Sequence, residues 1–304
     1  MTRVLVVGAG GFIGRALCRA LAPSMPVVGM DLTPAPEGLG HLDWITGSFA
    51  DDTLLASAAD GCDAVVFLAN ASLPASSQAD LASEAQAHVA GTLRVAETCA
   101  RLGVGRFLFA SSGGTVYGSD APAGGLPEDA PTRPRNGYGV SKLAIEHYIR
   151  LMHDMGRMRT LSLRLSNPYG EGQRALRGQG IVAAAMEHAL EDRVLPIWGD
   201  GSVSRDFVYV GDVAEAFRAG LAHDGPSTAI NVGSGRETTL NEIVDRVRAA
   251  TGRRLPVEYL ADRRIDVRRN ALDVSRAAAE LGWRPTTDLG EGLRRTAAWW
   301  RDRA

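Results

Sequence analysis

The chain has 304 residues, 45% hydrophobic and 22% charged, and its 33 Lys+Arg against 35 Asp+Glu leave a formal net charge of −2. That composition supports a folded core and excludes both a disordered chain and the basic surface that nucleic acid demands, so the expected partners are small molecules. Cys18, Cys62 and Cys99 are an odd number at wide spacing. They fit neither a disulfide framework nor a metal knuckle, and read as core thiols in a reducing compartment.

No run approaches the roughly 18 apolar residues of a bilayer span, and the chain starts on a strand pattern rather than a charged leader, so a cytoplasmic, membrane-free protein is expected. In chain order, Val4 to Val7, Val27 to Met30, Ala64 to Leu68, Phe107 to Ala110 and Thr160 to Leu165 are short apolar runs separated by helical periodicity. Strands apolar on both faces and joined by long crossovers predict a doubly wound α/β fold, a parallel sheet with helices on both sides. After Ser166, Gly, Pro and Arg break the alternation. A first domain over 1–165 and a second, smaller α/β lobe over 166–304 are therefore expected. Asn231-Val232-Gly233 can return the chain to the main sheet, so that about 205–235 would rejoin the first domain and leave the lobe discontinuous.

The first run leads straight into Gly8-Ala9-Gly10-Gly11-Phe12-Ile13-Gly14 and then a helical segment. A strand entering a helix through such a turn aims backbone N–H groups and the positive helix end at a pyrophosphate, and side chains on Gly8, Gly11 or Gly14 would obstruct it. Asp31 ends the second run, where a carboxylate accepts from adenosine ribose hydroxyls and repels a 2′-phosphate. With no Arg beside it, NAD is the expected cofactor. Asp51 has two readings, a contact to adenine and a helix N-cap.

Tyr138 and Lys142 stand four apart on a predicted helix and share one face. A neighbouring ammonium and a nicotinamide cation would favour the phenolate and let Tyr138 move a hydroxyl proton. Upstream, Ser111-Ser112-Gly113-Gly114-Thr115-Val116-Tyr117-Gly118 places hydroxyls at the carboxyl end of a strand, where such sheets bind ligands. These motifs, with Arg164 to Gly170, Gly199-Asp200-Gly201, Arg205 to Val210 and Leu281-Gly282-Trp283, resemble the extended short-chain dehydrogenases/reductases over essentially the whole chain. Within that family they resemble the nucleotide-sugar epimerases and dehydratases, proteins of the UDP-galactose 4-epimerase kind.

The resemblance implies a Rossmann domain, Tyr138 and Lys142 as the catalytic pair, and NAD contacts from Phe12, Ile13, Leu68, Ala69, Ser111, Tyr138, Lys142 and Pro168 beside the glycines and acids above. It implies Asn167, Arg205 and Arg263 as the grip on a substrate diphosphate, a chemistry suited to guanidinium forks. Similar epimerases carry a catalytic Ser where this chain has Gly113, so the hydroxyl falls to Ser112 or Thr115, with Ser112 preferred. His88 also departs from the family, which often has Asn there, and reads as a solvated or core residue rather than a catalytic one. Related dehydratases and decarboxylases place acids directly after the hydroxyl residue, where Gly113 and Gly114 stand. The expected function is 4-epimerisation of a nucleotide sugar, a UDP-hexose above others, by a homodimer. A dehydrogenase or reductase of a nucleotide sugar or small polyol, and a non-catalytic NAD sensor, are the alternatives.

Overall fold

The computed structural model describes residues 2–70, 80–118, 120–175, 180–262 and 267–303. Its first half runs β1 (Val4–Val7), α1 (Phe12–Leu21), β2 (Val27–Asp31), β3 (Asp43–Thr46), α2 (Asp52–Ala59), β4 (Ala64–Phe67), α3 (Leu81–Glu84), a π-helical turn (Ala85–Ala90), α4 (Gly91–Arg101), β5 (Arg106–Ser112), α5 (Gly137–Asp154) and β6 (Arg159–Leu165). The remainder adds β7 (Asn167–Tyr169), α6 (Ile181–Leu190), β8 (Leu195–Trp198), β9 (Ser204–Arg205), β10 (Phe207–Tyr209), α7 (Val210–Gly220), β11 (Ala229–Val232), β12 (Thr238–Thr239), α8 (Leu240–Thr251), β13 (Val257–Leu260), β14 (Arg269–Asn270), α9 (Ser275–Glu280) and α10 (Leu289–Arg301).

Seven parallel strands form the main sheet in the order β11-β6-β5-β4-β1-β2-β3. Period-two alternation gives each strand two apolar faces. Val4 and Val6 pack with Leu17 of α1 and Phe217 of α7, while Leu5 and Val7 pack with Val95 of α4 and Ile145 and Ile149 of α5. This is the doubly wound arrangement that the alternating pattern predicts. The edge strand β3 is absent from the expected set because its four residues are only half-buried or exposed and carry no apolar run.

Smaller ladders, β7 with β10, β9 with β12 and β14, and β8 with β13, surround a further core where α6, α8 and α10 contribute Met186, Ile243 and Leu293. The chain returns to the main sheet at β11, which pairs with β6, and α7 lies against the same core as α1. Among the described residues no helix is long and apolar enough to cross a membrane. All three cysteines are buried, and burial pushes the Cys18 and Cys99 thiols up to about 12, out of the range of useful nucleophiles.

A buried polar network joins α5, β6, β11 and the segment after β5. Arg164 donates to Glu146 Oε2 at 2.7 Å, to Tyr117 Oη at 3.0 Å and to the Glu128 carbonyl at 3.0 Å. Tyr117 Oη donates to Asn231 Oδ1 at 2.7 Å, and Asn231 N donates to Glu128 Oε1 at 2.9 Å. Both members of the Arg164–Glu146 ion pair are buried. Removing one side of such a pair strands a charge, so Arg164→Met should lower unfolding free energy by about 3–5 kcal/mol. Urea unfolding checks this, and an unchanged midpoint would show the network to be dispensable.

Candidate functional site

The turn between β1 and α1 is built for backbone approach. Gly8 has φ +87°, and a Cβ there would stand 2.9 Å from Ala69 N, while one on Gly14 would stand 2.2 Å from Gly8 O. Gly11 closes the turn by donating to Gly8 O at 3.2 Å, and α1 starts at Phe12 with no side-chain cap. An uncapped helix N-terminus behind a glycine cradle suits a pyrophosphate. Asp31, ending β2, accepts from Gly10 N at 2.9 Å through Oδ2 and from Thr33 N at 3.2 Å through Oδ1, so its carboxylate lies against the same turn. Leu68 donates to Val7 O at 2.9 Å and with Ala69 forms the adjacent wall. Asp51 Oδ1 caps α2 by accepting from Thr53 N and Leu54 N. The residues present therefore fit NAD, with α1, β2 and the end of β4 around one cleft.

Tyr138 and Lys142 stand beside that cleft, near the carboxyl ends of β4 and β5. Asn136 caps α5 by accepting from Gly139 N at 2.8 Å. Gly139 then lets the first turn press close, since a Cβ there would lie 3.0 Å from Thr115 O and 3.2 Å from Thr115 Cβ. Lys142 Nζ donates to Ala110 O and Asn70 Oδ1, both at 2.7 Å, and lies 5.3 Å from the Tyr138 ring centroid. Burial brings the ammonium down to about 7 against the opposing pull of Glu146 and Glu84. Burial, and then the Glu84 charge, holds the Tyr138 phenol above its ordinary value, opposed by a hydrogen bond with Asn70. Unaided, Tyr138 is thus a reluctant base at neutral pH, and it needs positive charge beside it to ionise.

The segment after β5 explains the departure at Gly113. A Cβ there would come within 2.6 Å of Leu272 Cδ1 and 3.1 Å of Arg164 O, so a serine would require the Leu272 side chain to shift. Ser111 is buried and its hydroxyl bonds to Glu146, whereas Ser112 is half-buried. Thr115 Oγ1 is buried without a hydrogen-bond partner among the described residues. Asn167 Nδ2 donates to Asp206 O at 3.1 Å, Pro168 pairs with Val208 across β7 and β10, and Arg205 Nη1 donates to the Ser204 and Val267 carbonyls, each at 2.8 Å. Arg263 lies outside the described residues. Sequence reasoning missed Asn70, Glu84 and Leu272. Only Asn70 carried a signal, as a polar residue just past the end of an apolar strand.

The NAD dependent epimerase/dehydratase family matches residues 4–233. A UDP-glucose 4-epimerase of Mycolicibacterium smegmatis is 33% identical over 312 residues, covering 99% of each chain. A dTDP-4-dehydro-6-deoxyglucose reductase of Escherichia coli is 30% identical over 302 residues, covering 95% of each. Among solved structures, a UDP-glucose 4-epimerase of Thermotoga maritima with UDP-glucose superposes with a TM-score of 0.92 at 30% identity, covering 99% of both chains.

Restoring the serine should fail for steric reasons. Gly113→Ser is expected to cost about 1–3 kcal/mol through overpacking against Leu272, and Leu272→Ala in the same chain should recover part of the Gly113→Ser effect. Thermal unfolding of the single and double variants measures this. A Gly113→Ser protein as stable as the parent would refute the packing account.

Proposed function

The chain belongs to the NAD dependent epimerase/dehydratase family, and we propose that within it this protein is a nucleotide-sugar 4-epimerase acting on a UDP-hexose. The observation that carries this reading is the end of β5. Tyr138 and Lys142 stand beside it, and the places where an elimination would require acids hold Gly113 and Gly114, the first closed off by Leu272. An elimination must remove a proton from carbon and protonate a departing hydroxyl, whereas inversion of a carbinol needs only a reversible oxidation with one hydroxyl proton moved out and back.

Bound NAD supplies the reversible two-electron acceptor at the sugar carbon. Tyr138 Oη takes the 4-hydroxyl proton as the carbinol is oxidised and returns it when the 4-keto sugar is reduced from its other face. Lys142, held on Ala110 O and Asn70, keeps positive charge within reach of that phenol. Ser112 donates to the same sugar oxygen, and Thr115 Oγ1, buried against the first turn of α5, is its alternative. Ser111, Asp51 and Pro168 complete the cofactor's surroundings, and Asn167, Arg205 and Arg263 grip the substrate diphosphate so that the sugar can turn while the nucleotide stays fixed.

In this reading residues 1–165 with about 205–235 hold NAD, and the rest of 166–304 holds the nucleotide. A cytoplasmic homodimer completes the proposal, supported by Val140, Tyr148 and Leu151 on α5 and Met155 just after it, exposed apolar side chains at helical spacing. A second reading, net reduction of a nucleotide sugar, is favoured by the E. coli relative. Incubation with a panel of UDP-, dTDP- and GDP-sugars separates the two. The epimerase makes product with no net change in NADH absorbance, and stoichiometric NADH consumption would establish the reductase instead.

Tyr138→Phe keeps the ring and deletes the phenol, so turnover should fall by about 10²-fold or more with folding retained. Near-normal turnover would overturn the mechanism. Asp31→Ala with Leu32→Arg should relax the preference for NAD over NADP in calorimetry on apo-protein. Equal affinity of the unmodified protein for both dinucleotides would refute the ribose assignment.

A further inference from the structure

Behind the phenol lies a pair of side chains that the proposed reaction leaves unused. Glu84 ends α3, and His88 sits one turn on, both almost fully buried, with His88 Nδ1 3.3 Å from Glu84 Oε1. The backbone between them is π-helical, and Gly91 N–H reaches back five residues to Gln86 O. Such widened turns are costly, rare and concentrated at functional sites. The turn packs directly on the catalytic helix, with the His88 ring centroid 6.1 Å from that of Tyr138. Glu84 also shares a cleft of about 350 Å³ with Gly137, Val140 and Ser141, the residues that flank Tyr138 along α5.

Charge decides what this pair can do. Burial holds His88 down at about 4, and the Lys142 ammonium pushes the same way against Glu84, so the imidazole is neutral in the working range and stands beside the carboxylate without cancelling it. The other charged groups about the pair are Lys142 and Glu146 of α5, one a turn from Tyr138 and one two turns from it, and Arg135, which lines the same cleft. The buried Glu84 carboxylate lies behind the half-buried Tyr138 ring, across the His88 ring that packs against it, and two negative charges so placed disfavour each other.

We propose that Glu84, beside His88 at the π-helical turn, is a positioning residue whose negative charge opposes ionisation of Tyr138, so that the phenolate forms only when a cationic nicotinamide stands beside it. A reaction that runs out and back on one cofactor needs a base in one half and an acid in the other. With the oxidised, cationic cofactor present, the phenol releases its proton to solvent and serves as base. With the reduced, neutral cofactor present, Glu84 keeps the transferred proton on the phenol until the sugar oxygen reclaims it. The inference rests on the reading of Tyr138 as the base.

The test is spectroscopic. Ultraviolet difference spectra between the NAD complexes of the parent and of Tyr138→Phe isolate the Tyr138 phenolate as pH is varied. Removing the negative charge favours the phenolate, so Glu84→Gln should move its midpoint down by about one pH unit, a tenfold change in ionisation constant, while Glu84→Asp should leave it nearly in place. The acid limb of the kcat/KM profile should follow. Calorimetry in two buffers tests the same point on the unmodified protein: NAD binding should release on the order of one proton, NADH binding none, and Tyr138→Phe should abolish the release. A phenolate midpoint insensitive to Glu84→Gln, or NAD binding without proton release, overturns the role of Glu84. No Tyr138 phenolate at any pH would remove Tyr138 as base and the inference with it.

Discussion

Lys142 buries its ammonium at 1% exposure between Ala110 O and Asn70 Oδ1, and that pair of hydrogen bonds fixes where α5 can stand. A charged amine taken out of water is tolerated only with its donors satisfied, so the helix is tied to the carboxyl end of β5 and to the residues just past β4. Tyr138, one turn earlier, has its place set by this tie and by the close packing of Gly139 on Thr115. One turn later, Glu146 supplies the compensating charge and is itself held by Arg164 and Ser111. Hydrogen bonds thus join Asn70 to Lys142 and run from Glu146 through Arg164 and Tyr117 to Asn231, the charge of Glu146 linking the two sets.

A second anchor joins the sheet to the rest of the molecule. Asp206 is fully buried and accepts from Ser234 N at 2.7 Å, Gly235 N at 3.1 Å and Leu272 N at 3.3 Å, while its carbonyl receives Asn167 N and Nδ2. Two separated stretches converge on its carboxylate and a third on its carbonyl. Its backbone partners keep it satisfied, although burial raises it above the ordinary carboxylate range. The Arg205-Asp206-Phe207 motif therefore has a structural reason, its middle residue being a clasp between stretches and its first a candidate for substrate.

What could be read from the chain alone was whatever lies close in sequence. The glycine turn, Asp31 and the Tyr138/Lys142 spacing are local patterns, and each strand of the inner sheet announces itself as an apolar run. Asn70, Glu84 and Leu272 became visible only in three dimensions. Leu272 crowds the space beside Gly113 from far along the sequence, and no local pattern records that contact. The π-helical turn was equally hidden, since Glu84 and His88 keep ordinary helical spacing and only the backbone reveals the extra residue. For His88 the local pattern allows a solvated or a core residue, because its neighbours Tyr138 and Lys142 lie on another helix.

The path of the chain around β5 bears on how the protein is made. Ala121 N donates to Arg269 O at 2.9 Å, Leu126 N to Ala271 O at 2.9 Å and Asp273 N to Leu126 O at 3.0 Å, so the stretch from Arg269 to Asp273 lies along the segment that follows the hydroxyl strand. A ribosome delivers β1 to β6 and α5 well before it delivers Leu272. The nascent sheet can form while the wall over Gly113 is still missing, and a chain stalled or cut before residue 269 would keep Tyr138 and Lys142 yet leave that flank open to water. Synthesis from the N-terminus thus postpones the covering of Gly113 until Leu272 has emerged.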